Sequence, residues 1–201
     1  MTVILQAPAL PTELVLLFHG VGATPEGLAP VGQHIAAVRP SAFIASVQSP
    51  DASDLGGGYQ WFSVRGVTEE NRPARVQETL PRFLETVRAW QQRAGVGAEQ
   101  TTLVGFSQGA IMSLAAAVSP QAPASQVVSL SGRFDALPQR APQGVRFHFV
   151  HGTHDPVIAA SHASEAAERL KELGAEVTLD LIPGLAHGVD RRALDAVLRY
   201  V

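Results

Sequence analysis

The sequence predicts an α/β fold built on a parallel sheet, in one domain spanning residues 1–201, and three observations predict it. Short strand-like runs (14–18, 43–47, 102–104, 126–130 and 145–150), of which 14–18 is apolar throughout, alternate with longer segments of helical periodicity. Runs that are apolar at every position mark strands buried on both faces, as parallel strands between layers of helices are. One run passes through a glycine-flanked turn directly into a helical pattern, the βα rhythm of a parallel sheet.

In order, Leu14-Val15-Leu16-Leu17-Phe18 is the first buried strand and ends in His19-Gly20-Val21-Gly22. Pro25 opens a helix carrying Leu28, Val31, Ile35 and Val38, which stops before Pro40. Residues 43–47 form the next strand. Residues 48–66 are the longest irregular stretch and hold Gly56-Gly57-Gly58, Tyr59, Trp61 and Phe62. A long helix is expected over 68–94, with Val76, Leu80, Phe83, Leu84, Val87 and Trp90 on one face and Pro81 as an internal kink. After Gly95 and Gly97 come a strand into Gly105-Phe106-Ser107-Gln108-Gly109, a helix, and a strand at 126–130. The strand at 145–150 leads to His151-Gly152-Thr153-His154-Asp155-Pro156, then a helix expected from 156 to 173. A strand at 176–182 leads to His187, and Asp190 caps a last helix. The connection from 131 to 144 is too short for a cap domain, so an active site at this edge is expected to be open.

Composition narrows the function. Of the 201 residues, 46% are hydrophobic and 16% charged, a globular balance, and the net charge of −3 gives no sign of a nucleic-acid partner. There is no cysteine, which removes thiol nucleophiles, disulfides and thiolate metal sites and fits a cytoplasmic protein. The first residues lack the pattern of a signal peptide, and no apolar run reaches the roughly 18 residues of a membrane span, so no membrane insertion is expected.

The motifs point to acyl transfer. Gly105-x-Ser107-x-Gly109 between a strand and a helix is the layout of a nucleophile elbow. The pattern alone is weak, and its context carries it. Ser107 needs a base, an orienting carboxylate and an oxyanion site. His187 is the best base, although His19, His151 and His154 also lie at strand ends. Asp155 is the best carboxylate, with Asp135 as rival and a plain helix cap as the simpler role. The order Ser, Asp, His is that of α/β-hydrolases. The backbone N–H groups of Gln108 and Val21 are the expected oxyanion donors. His148-x-x-His151-x-x-His154 is not read as a metal site, because strand alternation separates His148 from His151.

Together, Phe18-His19-Gly20-Val21-Gly22, Gly105-Phe106-Ser107-Gln108-Gly109-Ala110, Leu130-Ser131-Gly132, His151-Gly152-x-x-Asp155-Pro156-Val157 and His187 resemble the α/β-hydrolase superfamily. More narrowly, they resemble its small carboxylesterase, phospholipase and acyl-protein thioesterase branch. The resemblance runs along nearly the whole chain. It implies an α/β-hydrolase fold, a mostly parallel sheet with helices on both faces, and Ser107, Asp155 and His187 as triad. It also implies Val21 and Gln108 as oxyanion donors, and no cofactor. Gln60-Trp61-Phe62 is similar to that branch's tryptophan-containing substrate loop, which makes Trp61 and Phe62 candidate substrate contacts. Their simpler role is to anchor the loop to the core, and an exposed Trp61 would also suit a homodimer contact. Two departures are Ala186, where the branch often has Gly, and the short segment 133–145. The expected activity is hydrolysis of small-molecule carboxylic esters with short acyl chains. Thioesterase or lysophospholipase activity, or a non-catalytic scaffold, are the alternatives.

Overall fold

In the computed structural model, which describes residues 1–140 and 142–201, the chain opens with β1 (Val3–Gln6) and β2 (Glu13–Phe18). A 3-10 turn (Pro25–Leu28) leads into α1 (Ala29–Val38), then β3 (Ala42–Val47). A two-stranded hairpin of β4 (Asp51–Ala52) and β5 (Tyr59–Gln60) precedes α2 (Arg72–Ala94). Next come β6 (Thr101–Phe106), α3 (Gln108–Ala117) and β7 (Gln126–Leu130). The chain ends with β8 (Arg146–Gly152), α4 (Ser161–Glu172), β9 (Glu176–Ile182) and α5 (Arg191–Leu198).

The main sheet has the order β1-β3-β2-β6-β7-β8-β9. Every neighbouring pair is parallel except β1 with β3. Strand alternation divides the core into two layers. Leu14, Leu16 and Phe18 lie in the layer that also holds Phe83 of α2, Met112 of α3 and Leu170 of α4. Val15 and Leu17 lie in the opposite layer, with Ile35 of α1 and Val197 of α5. The helices therefore cover both faces, and α3 is buried along its whole length because it lies on the central strands.

Several boundaries differ from expectation for local reasons. The 48–66 stretch contains the β4–β5 hairpin. The long helix begins at Arg72, because Thr68 and Asn71 exchange side-chain and backbone hydrogen bonds at 2.9 and 3.2 Å and close a turn ahead of it. The helix after Asp155 begins at Ser161, not at Pro156. Asp155 Oδ1 accepts from the Val157 and Ile158 amides at 2.8 and 2.9 Å, a local turn that competes with helix formation. Asp190 does cap α5, accepting from the Ala193 amide at 3.0 Å.

Between β7 and β8 the described residues contain neither helix nor strand. Phe134 is buried there against Phe147 and Phe149 and plugs the layer beneath. No helix among the described residues is long and apolar enough to cross a membrane.

Candidate active site

The site forms where β6 turns into α3 at the carboxyl edge of the sheet. Ser107 sits at φ 53°, ψ −115°, a backbone conformation that L-residues avoid and that marks stored strain at functional sites. The flanking glycines make this turn possible. A Cβ on Gly105 would lie 2.4 Å from Ala110 Cα, and one on Gly109 would lie 2.0 Å from the Phe18 carbonyl oxygen. The turn leaves the Ser107 hydroxyl at the start of α3, where unpaired amides and the helix dipole favour negative charge.

Three side chains from separate loops meet there. His187 Nε2 is 3.0 Å from Ser107 Oγ, and His187 Nδ1 is 2.7 Å from Asp155 Oδ2. The carboxylate can only accept, so Nδ1 carries the imidazole proton and Nε2 presents its lone pair to the serine hydroxyl. Asp155 has no exposed side-chain surface. Burial pushes its carboxyl up, but hydrogen bonds from His187, Ile158 and Val157 outweigh this and hold it below its ordinary value. The Phe106 ring packs 5.0 Å from that of His187. Asp135 makes no hydrogen bond to a histidine among the described residues.

The other strand-end histidines have different positions. His19 is buried, with Nδ1 2.8 Å from the Gly20 carbonyl and Nε2 3.2 Å from the Ser49 amide. An amide can only donate, so Nε2 accepts and Nδ1 donates. Burial lowers the pKa of His19 and keeps it neutral as a brace for the 19–22 loop. His154 is exposed, and its Nδ1 lies 3.0 Å from Thr153 Oγ1. His151 is buried, with Nε2 3.2 Å from Asp155 Oδ2 and 2.8 Å from the Ile158 carbonyl. No grouping of three metal-ligating side chains exists among the described residues.

The backbone amides of Val21 and Gln108 have no acceptor among the described residues. Both residues line a cavity of about 410 Å³ with Ser107, Phe62, Ile111 and Arg133. A second cavity of about 510 Å³ adjoins the same loops through Gly20 and Phe106 and is lined by Leu28, Val31 and Leu194.

Trp61 and Phe62 part company. Phe62 lines the Ser107 cavity. Trp61 is 1% exposed, and its ring packs edge-on at 5.7 Å from Phe18 and 4.8 Å from Phe83. The expectation of an exposed Trp61, lining a pocket or a homodimer contact, is therefore corrected: burying the indole against the core outweighs presenting it. Gln108 plays an additional part that sequence reasoning missed. Its Oε1 accepts the Trp61 amide and its Nε2 donates to the Phe62 carbonyl, both at 2.8 Å. A charged cluster of Glu69, Arg72, Arg133 and His162 on the cavity wall was also missed. These residues come from three distant segments, and His162 reads in isolation as a helix-surface residue.

Comparison with known proteins identifies the family. The family model described as Phospholipase/Carboxylesterase matches residues 1–201. The chain is 43% identical to Esterase YpfH of Escherichia coli (strain K12) over 199 residues, covering 98% of this chain and 86% of that protein. It is 23% identical to Acyl-protein thioesterase 1 of Neurospora crassa, over 95% of this chain and 86% of that protein. In structure it resembles esterase PE8 with a TM-score of 0.85 at 24% identity, covering 100% of this chain and 95% of that one. The chain belongs to the phospholipase/carboxylesterase family and is a hydrolase of the α/β-hydrolase fold.

Proposed function

We propose that the protein is a cytoplasmic serine esterase that hydrolyses small carboxylic esters through an acyl-enzyme, with Ser107, His187 and Asp155 as its triad in a single α/β-hydrolase domain. The observation that carries this reading is the pair of contacts at His187, 3.0 Å to Ser107 Oγ and 2.7 Å to Asp155 Oδ2. They give a nucleophile, a base and an orienting carboxylate within hydrogen-bond reach.

Ser107 Oγ attacks the ester carbonyl carbon while His187 Nε2 takes its proton. The carbonyl oxygen becomes an oxyanion held by the Val21 and Gln108 amides. Asp155 stabilises the imidazolium without itself accepting the proton. The tetrahedral intermediate then collapses. The C–O bond to the leaving alcohol breaks, His187 returns its proton to that oxygen, and the acyl group stays on Ser107. A water molecule, deprotonated by His187, attacks the acyl carbon, and the acid leaves as Ser107 regains its proton.

The lidless edge and the charged wall of the Ser107 cavity support short acyl chains, since a long alkyl chain would meet Arg72 and Arg133. The absence of cysteine supports a cytoplasmic location. A p-nitrophenyl ester series from acetate to palmitate tests the substrate range, with fluorophosphonate labelling as the test of the nucleophile. Activity peaking at short chains and labelling lost in Ser107→Ala are expected. Folded wild-type protein that neither labels nor hydrolyses any ester would overturn the reading. Faster turnover of acyl-thioesters than of oxygen esters would favour the thioesterase alternative, a role borne in name by the Neurospora crassa relative.

A further inference from the structure

The Ser107 cavity has a charged wall that the steps above do not use. Arg133 stands on the β7–β8 connection beside buried Phe134, and its Nε donates to the Phe134 carbonyl at 3.2 Å. Arg72 is the first residue of α2. The two arginine side chains are only 16% (Arg72) and 14% (Arg133) exposed, whereas Glu69 between them is 67% exposed. The Glu69 carboxylate spans both. Its Oε1 is 3.2 Å from Arg133 Nη1 and its Oε2 is 2.8 Å from Arg133 Nη2. Arg72 Nη1 lies 2.7 Å from Oε1, yet it is buried and off the hydrogen-bonding direction, so its donor capacity is unfilled.

Neighbouring groups leave this cluster positive. His162 Nε2 is 3.1 Å from Arg133 Nη1, and a guanidinium cannot accept, so His162 is the acceptor and is neutral. Burial and Arg133 lower its pKa accordingly. Glu165 on α4 is exposed and is not on the wall. The Asp155 carboxylate is fully buried and engaged by Val157, Ile158 and His187. Two poorly solvated guanidinium groups thus face the cavity against one well-solvated carboxylate.

We propose that this cavity takes the anionic end of the substrate, a carboxylate on the acyl or the alcohol side of the ester, held by Arg133 and Arg72 in the place of the Glu69 carboxylate. The inference rests on the esterase reading and names its substrate class. Glu69 already displays the two-point grip of a guanidinium on a carboxylate, and it is exposed enough to yield to a competitor. A neutral alkyl tail in the same place would strand two desolvated cations.

The test compares kcat/KM for p-nitrophenyl hydrogen adipate with that for its neutral methyl ester, so that general changes in activity cancel in the ratio. A second pair, 3-carboxyphenyl butyrate and its methyl ester, puts the carboxylate on the alcohol side. In one of the two pairs the wild type is expected to prefer the anion. Arg133→Gln should lower that preference by about tenfold or more, and Glu69→Gln should raise it several-fold. The pair that responds identifies the side that carries the charge. Ratios near one in both pairs, unchanged in Arg133→Gln, would overturn the proposal. If no ester is hydrolysed, the esterase reading fails, and calorimetric titration of monomethyl adipate into Ser107→Ala decides the pocket separately. Binding that Arg133→Gln weakens supports the proposal, and no binding overturns it.

Discussion

His151 Nε2 stands 3.2 Å from Asp155 Oδ2, the same oxygen that receives His187 at 2.7 Å. The carbonyl of Ile158, 2.8 Å from that nitrogen, can only accept, so His151 Nε2 carries a proton. That proton goes to the Ile158 carbonyl, and the ring, close beside Asp155 Oδ2, braces the 155–158 turn that holds the carboxylate. A typical hydrogen bond contributes about 0.5–1.5 kcal/mol, so His151→Leu should lower kcat by roughly 2–10-fold with KM little changed. His151→Gln, whose amide nitrogen reaches a similar position, should recover most of the loss. Steady-state kinetics on both variants checks this, and equal losses in both would reduce His151 to a packing residue.

Replacing members of the proposed triad should act on chemistry and not on binding. Ser107→Ala and His187→Ala should each lower kcat by about 10⁴–10⁶, and the double variant by little more than either. Asp155→Asn should lower it by about 10⁴, because the amide favours the wrong imidazole tautomer. Turnover of a short p-nitrophenyl ester, with circular dichroism to confirm folding, reads these effects.

Gln108 joins two jobs in one residue. Its amide nitrogen faces the expected oxyanion position, and its side chain holds Trp61 and Phe62. Gln108→Leu keeps the first and removes the second. Two buried backbone groups then lose their partners, at about 1–3 kcal/mol each. A melting temperature lower by about 4–24 °C is expected for a chain of this size. Thermal unfolding checks the loss, and an unchanged melting temperature would mean that the loop is held by its aromatic contacts alone.

Gly109→Ala should be among the most damaging single-methyl additions. The added carbon would sit 2.0 Å from the Phe18 carbonyl oxygen, which belongs to the central strand β2 and cannot retreat. A loss of more than about 4 kcal/mol, seen as failure to accumulate soluble protein, is expected from overpacking against backbone. Gly27→Ala, where nothing lies within 4 Å, is the matched control.

Stability should fall on mild acidification. His148 in β8 is buried, with Nδ1 2.8 Å from Thr178 Oγ1 and its ring stacked 4.2 Å from Tyr200. Burial, with a smaller contribution from Arg146, lowers its pKa from 6.5 to about 4. A folded-state value below the unfolded one means that the unfolded chain binds the proton first as pH falls. The stabilisation from neutral His148 is therefore complete above pH 6.5 and is lost between 6.5 and 4. His148→Phe should flatten the melting temperature between pH 7 and 5. Buried His19 and the partly buried His162 are shifted in the same direction and leave a residual slope.

Much of the architecture was legible because buried parallel strands are dominated by apolar residues, as 14–18, 43–47 and 126–130 are. The elbow was legible because its glycines are a steric requirement. The β1 strand was not, since its four residues, three half-exposed and Ile4 exposed, pair antiparallel at the sheet edge and carry no such run. The start of α4 was misplaced because the Asp155 side chain takes amides that a helix would otherwise use. Trp61 was undecided because residue type does not say which way a loop aromatic turns. The Arg72, Arg133, Glu69 and His162 cluster was invisible because its members are up to 93 positions apart in sequence and share no motif.

The bare crossover from β7 to β8 bears on how this scaffold can change. Parallel neighbours are usually joined through a helix, whereas here one buried phenylalanine fills that layer and the chain passes on. Lengthening such a connection adds little closure entropy, since the penalty grows only with the logarithm of length. An inserted segment there would overhang the mouth beside Arg133 and could become a roof, altering which molecules enter while leaving the hydrolytic groups where they stand.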